Sequence, residues 1–262
     1  MENKLSESSS GENIVKDENN KKEENNSIFD FFEKIAEGIK EIKEDVSSIM
    51  ERDPAATSEA EVLLLYSGLH AVAAYRVAHK LDEKGMKIAA RAISQAAKFF
   101  TDIEIHPSAK IGKRLFIDHG AGVVIGETAE IGDDCTIYQG VTLGGTGKHV
   151  GKRHPTIGNN VMIGAGAKVL GPFKVGDNSK IAAGAVVLNE IPEGSTAVGM
   201  PARVVKREGA KQDETCTADL DQIHIPDPVA QELCRLQQRI EELEKRLDQK
   251  EKRKGTKKDA DI

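Results

Sequence analysis

The sequence predicts a mainly β protein with α-helical parts: a left-handed parallel β-helix, preceded by a helical N-terminal domain and followed by a C-terminal coiled-coil helix. The first observation is that aliphatic residues recur at every sixth position over more than eighty residues. A period of six fits neither the 3.6 residues of an amphipathic helix nor the two of an ordinary strand, and it is typical of a hexapeptide β-helix. The second and third observations are a helical spacing of apolar residues before this repeat and a heptad pattern after it.

In a hexapeptide β-helix each hexad supplies one short strand and one turn, three hexads make a coil, and the aliphatic residue points into a narrow prism. A two-residue slip after Val123 and an insertion after Leu143 interrupt the phase. Small residues four places after the aliphatic position are expected to face inward as well. One of them, Cys135, is interpreted as a packing residue, because a reactive thiolate needs an exposed electropositive setting. The aliphatic positions are Ile105, Ile111, Ile117, Val123, Ile125, Ile131, Ile137, Leu143, Ile157, Ile163, Val169, Val175, Ile181 and Val187, and the small ones are Ala109, Ala121, Ala129, Cys135, Val141, Val161 and Ala167.

The insertion, GGTGKHVGKRHP at positions 144–155, cannot continue the hexads and is predicted to protrude as a loop. Long loops on rigid scaffolds are frequent places for binding and catalytic residues. Two histidines, His149 and His154, lie five residues apart in it, and this spacing leaves open a zinc hydrolyase with its metal at a subunit interface. The sequence places no third histidine convincingly to complete such a site.

Changes in composition divide the chain into six predicted segments. In the helical domain we expect helices over Val62–Leu81 and Ile88–Phe100, separated at Gly85. Near the C-terminus apolar residues alternate four and three apart, which predicts a parallel trimeric coiled coil; a single amphipathic helix lying on the body is the alternative. The segments are a disordered tail (1–27), a helical domain (28–101), the β-helix (102–205), a linker (206–227), the coiled-coil helix (228–254) and a flexible tail (255–262).

The charge and the cysteines exclude several classes of protein. With 37 basic and 43 acidic residues, the net charge of −6 gives no basic surface for nucleic acid. Three widely spaced cysteines without a CxxC pair predict neither a disulfide framework nor a zinc cluster and fit a reducing compartment. No apolar run is long enough to span a bilayer, and the N-terminus lacks the apolar core of a signal peptide. We therefore expect a cytoplasmic protein without a nucleic-acid or membrane partner.

Seven short segments carry a more specific signal. They are ERDPAAT (51–57), HAVAAYRVAH (70–79), IEIHPSAKIG (103–112), FIDHGAGVVIGETAEIGDDCTIYQGVTLGGTGK (116–148), KRHPTIG (152–158), IGAGAKVLGP (163–172) and VGMPARVV (198–205). From about Glu51 to Pro228 the chain resembles the serine O-acetyltransferase family of hexapeptide-repeat acyltransferases. The resemblance implies transfer of acetyl from acetyl-CoA to the hydroxyl of L-serine, giving O-acetylserine in cysteine biosynthesis.

The chemistry that the resemblance implies needs a base, because a serine hydroxyl is a poor nucleophile until its proton is removed. His119, in the IDHG motif, matches the family's catalytic histidine. Family members commonly pair this histidine with an aspartate in a DIHP motif, and this sequence has Glu104 at that position. Fifteen residues separate Glu104 from His119, slightly less than an eighteen-residue coil, so we expect the two on adjacent coils with Glu104 orienting the ring.

The resemblance also assigns binding residues. Serine carries an ammonium and a carboxylate, and the matching positions are Asp53, Asp118, Arg153 and His154, with Arg153 suited to a bidentate grip on the carboxylate. For Asp53 a capping or turn role before Pro54 is the alternative. Acetyl-CoA, the co-substrate, is expected in the groove between neighbouring prisms, and no metal is expected. The matching cofactor positions are Gly145, Thr146, Ala165, Lys180 and Ala183.

The resemblance implies partners as well. They are L-cysteine as a feedback inhibitor, two further copies of the chain in a homotrimer or a pair of trimers, and O-acetylserine sulfhydrylase, which would take up the C-terminal Ile262. Three other functions stay open at this stage. A sugar or another small hydroxyl compound could replace serine as the acceptor, the prism could carry the zinc hydrolyase described above, or the chain could be a non-catalytic assembly protein.

Overall fold

The computed structural model describes residues 37–147 and 150–207 and, near the C-terminus, residues 233, 235–240, 242–244 and 246. The expected tails at 1–27 and 255–262 lie outside this part of the chain, as do Lys148, His149 and most of the expected linker. The described residues belong to two compact units, one ending at Val62 and the other beginning at Leu63.

The unit that ends at Val62 contains a helix, α1, over residues 37–52. Val46 and Ile49 on this helix are buried, whereas Ile39, which has the same helical spacing, is half exposed. After the helix the chain turns at Asp53, whose backbone N–H donates to Ile49 O at 2.8 Å. The turn is followed by the start of the next helix at Glu59.

In the described part of the chain, three further helices lie between α1 and the β-helix in sequence: α2 (Glu59–Leu65), α3 (Ser67–Glu83) and α4 (Lys87–Thr101). The prediction of one continuous helix from Val62 to Leu81 is wrong, because Tyr66 has an extended backbone (φ −82°, ψ 104°) that interrupts the helix between α2 and α3. The predicted break at Gly85 is confirmed. Its φ of 77° is in the left-handed region that glycine enters without a Cβ clash.

Helices α3 and α4 pack on the first coil of the β-helix through backbone oxygens of that coil. The Tyr75 hydroxyl donates to Ala109 O at 2.7 Å, and the Ser94 hydroxyl donates to Ile105 O at 2.6 Å. Gly68 lies directly against the Ile117 backbone, where any side chain would overlap the carbonyl group. Burial raises the pKa of Tyr75 to about 12, so its hydroxyl remains a donor at every physiological pH.

The β-helix consists of short parallel strands on three faces. Among the described strands, one pair, β14 with β15, is antiparallel, and it ends the last coil. We call the faces A, B and C in the order in which the chain visits them. Face A holds β1 (Ile103–Ile105), β4 (Val123–Ile125), β7 (Thr142–Gly144), β10 (Lys168–Leu170) and β13 (Val186–Val187); face B holds β2 (Lys110–Ile111), β5 (Glu130–Ile131), β8 (Thr156–Ile157) and β11 (Lys174–Val175); face C holds β3 (Phe116–Asp118), β6 (Thr136–Tyr138), β9 (Met162–Ile163), β12 (Lys180–Ile181), β14 (Ser195–Gly199) and β15 (Ala202–Arg207).

The interior of the prism confirms the six-residue pattern. All but one of the fourteen aliphatic positions are buried, and Ile111, in the first coil, is partly buried. Cys135 is fully buried among them, with its Sγ 3.0 Å from Gly158 O, which confirms its packing role. The expectation for Ala121 is wrong: this residue is exposed, because the chain makes a longer turn at residues 119–122 and Ala121 lies in that turn.

Coil length is not constant along the prism. On face A the register pairs Ile103 with Val123, Val124 with Thr142, Thr142 with Lys168 and Lys168 with Val186. Successive coils therefore advance by 20, 18, 26 and 18 residues. The two additional residues of the first coil lie in the corner between faces C and A, and the eight of the third lie in the predicted insertion between faces A and B.

The corner between faces B and C carries a column of polar side chains. Asp177 Oδ1 accepts from Asn159 N–H at 3.0 Å, Asn159 Oδ1 accepts from Asp133 N–H at 2.9 Å, and Asp133 Oδ1 accepts from Lys113 N–H at 2.7 Å. Each side chain thus satisfies a backbone donor of the coil before it. The next residue in each of these turns has a positive φ: Arg114, Asp134, Asn160 and Asn178.

The described residues near the C-terminus are helical, and Leu233, Leu236, Ile240 and Leu243 are exposed on this segment. Val229 and Leu247, which complete the predicted heptads, lie outside the described residues. The trimeric coiled coil stays a prediction. Among the described helices, none is both long enough and apolar enough to cross a membrane.

Candidate active site

His119 lies in the lengthened corner between faces C and A, directly after β3. Its φ of 59° is left-handed, which is uncommon for a residue with a Cβ and is found disproportionately at functional sites. The ring is exposed, with 74% of the side chain accessible, and its Nε2 lies 3.9 Å from Oδ1 of Asp118. The corner thus presents an imidazole beside a carboxylate, and Asp118 itself is mostly covered.

The left-handed residues of the other coils at this corner are glycines: Gly140, Gly166 and Gly184. Their N–H groups donate to the carbonyls of Ala121, Gln139 and Ala165, and Gly122 N–H donates in the same way to Asp102 O. His119 and Gly120 are therefore the two residues inserted into this coil. The insertion places the histidine outside the regular stacking.

Glu104 is on face A, on the outward side of β1, and its register partner in the next coil is Val124. The expectation that Glu104 and His119 occupy adjacent coils is wrong in this detail, because the first coil has 20 residues and His119 lies in the corner that closes it. The carboxylate of Glu104 accepts a hydrogen bond from Lys98 Nζ at 2.6 Å and forms no ion pair with His119 within 4.0 Å. Its orienting role stays a prediction.

Arg153 and His154 lie where the insertion rejoins the prism, in the corner between faces A and B. Register places them directly over Glu127 and Thr128, 26 residues earlier, because Ile131 pairs with Ile157. The guanidinium of Arg153 pairs with the Glu127 carboxylate. This pairing lowers the pKa of Glu127, first through the hydrogen bond and further through the positive charge, so Glu127 is ionised at neutral pH.

His154 is buried, with 8% of its surface accessible. Its Nδ1 accepts a hydrogen bond from Thr128 N–H at 3.1 Å and lies 2.9 Å from Thr128 Oγ1. Gly126 lies flat against the Cδ2 and Nε2 edge of the ring, at a position where any side chain would overlap it. Burial, and then the neighbouring Arg153 guanidinium, lower the pKa of His154, so the ring is neutral at physiological pH.

Asp53 belongs to the unit that ends at Val62. Its Oδ1 accepts from Ala55 N–H at 2.8 Å, and its carbonyl accepts from Ala56 N–H at 3.1 Å. This is the turn role that the sequence left open for it. Serine binding by Asp53 stays a prediction.

The five predicted cofactor positions fall at different places on the prism. Ala165 and Ala183 are register neighbours at the corner between faces C and A, as Gly184 N–H donating to Ala165 O shows. Gly145 and Thr146 are exposed at the start of the insertion, in the corner between faces A and B. Lys180 is exposed at the start of β12 on face C.

The structure brings into contact several residues that the sequence did not single out. Glu127, Thr128 and Gly126 hold Arg153 and His154, and Lys98 pairs with Glu104. Counting from Ile131 to the resumption of the hexads at Ile157 gives the 26-residue offset that relates 127–128 to 153–154. Among the described residues, no group of three or more His, Cys, Asp or Glu side chains could hold a metal ion, and His149 lies outside them.

Comparison with known proteins identifies the family. A family model described as "Serine acetyltransferase, N-terminal" matches residues 11–74, and one described as "Bacterial transferase hexapeptide (six repeats)" matches residues 154–189. A serine acetyltransferase of Staphylococcus aureus strain Mu50 is 54% identical over 204 residues, which cover 78% of this chain and 94% of that protein. The chain belongs to the serine acetyltransferase family. This confirms the resemblance that the sequence segments indicated.

Solved structures of serine acetyltransferases agree with the fold. One, described as a complex with cysteine, has a TM-score of 0.65 and 44% identity and covers 67% of this chain and 68% of its own. Another, from Brucella abortus strain S19 and described as a complex with coenzyme A, has a TM-score of 0.63 and 44% identity and covers 65% of this chain and 68% of its own. The family's architecture of N-terminal helices followed by a hexapeptide β-helix is therefore the architecture of this chain.

Proposed function

We propose that this chain transfers the acetyl group of acetyl-CoA to the hydroxyl of L-serine, producing O-acetylserine for cysteine synthesis in the cytoplasm. The observation that carries the proposal is 54% identity to a serine acetyltransferase over most of both chains. The exposed imidazole of His119 supports it, since a left-handed corner holds this ring outside the coil and beside the Asp118 carboxylate.

In the proposed reaction His119 acts as a general base on the serine hydroxyl. The hydroxyl oxygen attacks the thioester carbonyl while its proton passes to the imidazole. The tetrahedral intermediate then collapses, the C–S bond breaks, and the leaving CoA sulfur takes the proton from the imidazolium. Transfer is direct, without an acetyl-enzyme: Cys135, the free cysteine of the described residues, is buried in the prism.

The proposed serine site combines residues from two corners of the prism. Asp118 would hold the ammonium group near His119, while Arg153 and His154 would hold the carboxylate. The three-residue strand β4 lies between the two corners within one chain, and at about 3.3 Å per residue it separates them by roughly 10 Å or more. A small amino acid cannot contact both corners of the same chain.

A trimer resolves this separation. Three prisms side by side bring the corner between faces C and A of one copy against the corner between faces A and B of the next. His119 and Asp118 of one copy and Arg153 and His154 of its neighbour would then face one groove, with acetyl-CoA extended along it beside Ala165 and Ala183. The apolar residues exposed on the C-terminal helix support association by adding a coiled-coil seam. Pairing of two trimers is a further possibility within the same proposal.

Two regulatory partners belong to the proposal. L-Cysteine carries the same ammonium and carboxylate as serine and differs at one atom, so it should compete for the same site, and a related enzyme has been solved as a complex with cysteine. The C-terminal residue Ile262 lies outside the described residues. We keep the prediction that it inserts into O-acetylserine sulfhydrylase, to be tested by deleting that residue and measuring association by calorimetry.

A CoA-release assay on the purified full chain tests the function. The acceptors are L-serine, L-threonine, L-homoserine and several sugars, each with acetyl-CoA and in the presence of EDTA. We expect kcat/KM for L-serine to exceed that for every other acceptor and EDTA to have no effect. A sugar as the best acceptor would replace the proposal with a sugar O-acetyltransferase, and loss of activity in EDTA would favour metal-dependent chemistry.

A further inference from the structure

The segment 152–154, which ends the insertion, is held by a single residue of the coil beneath it, Thr128. Thr128 Oγ1 accepts hydrogen bonds from the backbone N–H of Arg153 at 3.0 Å and of His154 at 3.1 Å. The carbonyl of Thr128 accepts a third bond, from Lys152 Nζ at 2.8 Å. Three consecutive residues of the returning loop are therefore fixed against one threonine.

The same threonine determines which nitrogen of His154 carries the proton. A backbone N–H can only donate, so the 3.1 Å bond from Thr128 N–H requires Nδ1 to be an unprotonated acceptor. Both lone pairs of Thr128 Oγ1 are occupied by the N–H groups of Arg153 and His154, so its own proton points to the remaining neighbour, Nδ1, 2.9 Å away. The ring is thus neutral with its proton on Nε2, because a proton on Nδ1 would face two donors.

The charged groups around the ring of His154 also favour its neutral form. Arg153, Lys152 and His106 each disfavour a positive charge on His154, and of the neighbours only Glu127 favours one. The negative charge of Glu127 is compensated by the guanidinium of Arg153, with which it pairs. The negative charge of Glu130 is likewise paired, with Lys152 at 3.4 Å. Gly126 lies against the Cδ2 and Nε2 edge of the ring and, having no side chain, allows the ring to occupy this position.

We propose that Thr128 is a positioning residue that holds His154 as the Nε2–H tautomer and aligns it with Arg153. His154 is then a hydrogen-bond donor for the amino-acid carboxylate and is excluded from acting as a base. Its donor capacity does not depend on pH through the neutral range, because burial lowers the pKa of His154. The identity of the ligand rests on the proposed function. The assignment of the tautomer does not depend on it.

The tautomer is tested directly by ¹⁵N NMR of the full chain labelled at its seven histidines. The His154 signals are assigned by their loss in His154→Gln. We expect the shift pattern of a neutral Nε2–H ring at pH 7, retained in Thr128→Ser. Thr128→Val loses the hydroxyl that anchors the N–H groups of Arg153 and His154, so the loop should move away from residue 128. The bond from the residue-128 N–H to Nδ1 is then weakened, and the Nδ1–H form should become populated. A wild-type ring that is Nδ1–H or doubly protonated at pH 7 contradicts the proposal, whatever the variants do.

Kinetics supply the second readout. Thr128→Val should raise KM for serine about tenfold, the effect of one misaligned hydrogen bond, with kcat and KM for acetyl-CoA within about twofold of the wild type. Thr128→Ser should restore KM for serine. An unchanged KM in a Thr128→Val protein with altered tautomer would show that Thr128 does not act on substrate. A chain without serine acetyltransferase activity that has the Nε2–H ring would overturn the proposed function and leave the tautomer assignment standing.

Discussion

The carboxylate of Glu104 accepts a 2.6 Å hydrogen bond from the ammonium group of Lys98, six residues earlier at the end of α4. Both side chains are partly exposed, so the pair by itself stabilises the fold by at most about 1 kcal/mol. The pair bears on catalysis, because an orienting carboxylate for His119 would have to leave Lys98 or be shared with it.

Glu104→Gln and Lys98→Met separate the two roles of this carboxylate. If Glu104 orients His119, Glu104→Gln should lower kcat roughly tenfold with little change in KM, and Lys98→Met should leave kcat within about twofold. Lys113→Met, at an exposed lysine on the opposite side of the coil, is the matched control. Equal and small effects of Glu104→Gln and Lys98→Met would show that the carboxylate serves only the ion pair.

His119→Asn tests the base while preserving the backbone. Asparagine tolerates the left-handed conformation that His119 adopts at φ 59°, so the corner should keep its shape. We expect kcat to fall by about 10² or more with CoA binding nearly unchanged, measured by steady-state kinetics and calorimetry. His70→Asn, the same replacement on helix α3, is the control and should retain activity. Near-normal turnover of His119→Asn would remove this histidine from the mechanism.

Gly126→Ala tests the packing of the His154 ring. The added Cβ would overlap the ring edge, so either the imidazole or the coil must move, at a cost of about 1–3 kcal/mol in the free energy of unfolding. We expect a matching rise in KM for serine. Gly38→Ala, at a helical glycine with open space around its Cβ, should be neutral or slightly stabilising. Urea unfolding of both variants distinguishes these outcomes, and equal stability of Gly126→Ala and the wild type would refute the contact.

Two histidines predict how stability depends on pH: His154, which is buried, and His106, which is partly buried. Burial lowers the pKa of His154 and, together with Arg91, that of His106, so the unfolded chain binds protons at a higher pH than the folded chain. Stability is therefore full above the ordinary histidine pKa, about 6.5, and is lost as the pH falls below it. Urea midpoints from pH 7.5 to 5.5 should decline less steeply in His154→Gln than in the wild type. A steeper or unchanged decline would contradict a neutral His154.

Truncation at Asp227 tests the predicted coiled coil. Loss of the apolar seam that includes Leu233, Leu236, Ile240 and Leu243 should lower the melting temperature or shift the predicted trimer toward monomers on dilution. Light scattering across a concentration series measures the shift. A truncated chain with the mass and melting temperature of the full chain would show that the C-terminal helix does not join the subunits.

The six-residue periodicity predicted the prism well, because the repeat depends only on which side chains are apolar and can be read along a continuous stretch of the sequence. The prediction failed at Ala121, which lies in a corner with two additional residues. The apolar pattern continues before and after this corner, but the residues within the corner are displaced from the interior of the prism. The pairing of Thr128 with His154 was missed for a related reason. This contact depends on which residues of successive coils lie next to each other. The insertion lengthens that coil to 26 residues, so the regular hexad spacing does not indicate that Thr128 and His154 are neighbours.

The polar column between faces B and C has an evolutionary consequence. Asn159 makes the same type of bond to Asp133 across a 26-residue coil as Asp177 makes to Asn159 across an 18-residue coil, since the inserted residues leave and rejoin the prism at a different corner. The hydrogen bonds of this column are therefore the same whether or not the coil contains additional residues at 145–151. Loops of other sizes could be exchanged at that corner by recombination or by design without altering the stacking, so new acceptor preferences can arise in this fold while its hydrogen-bonded frame is inherited unchanged.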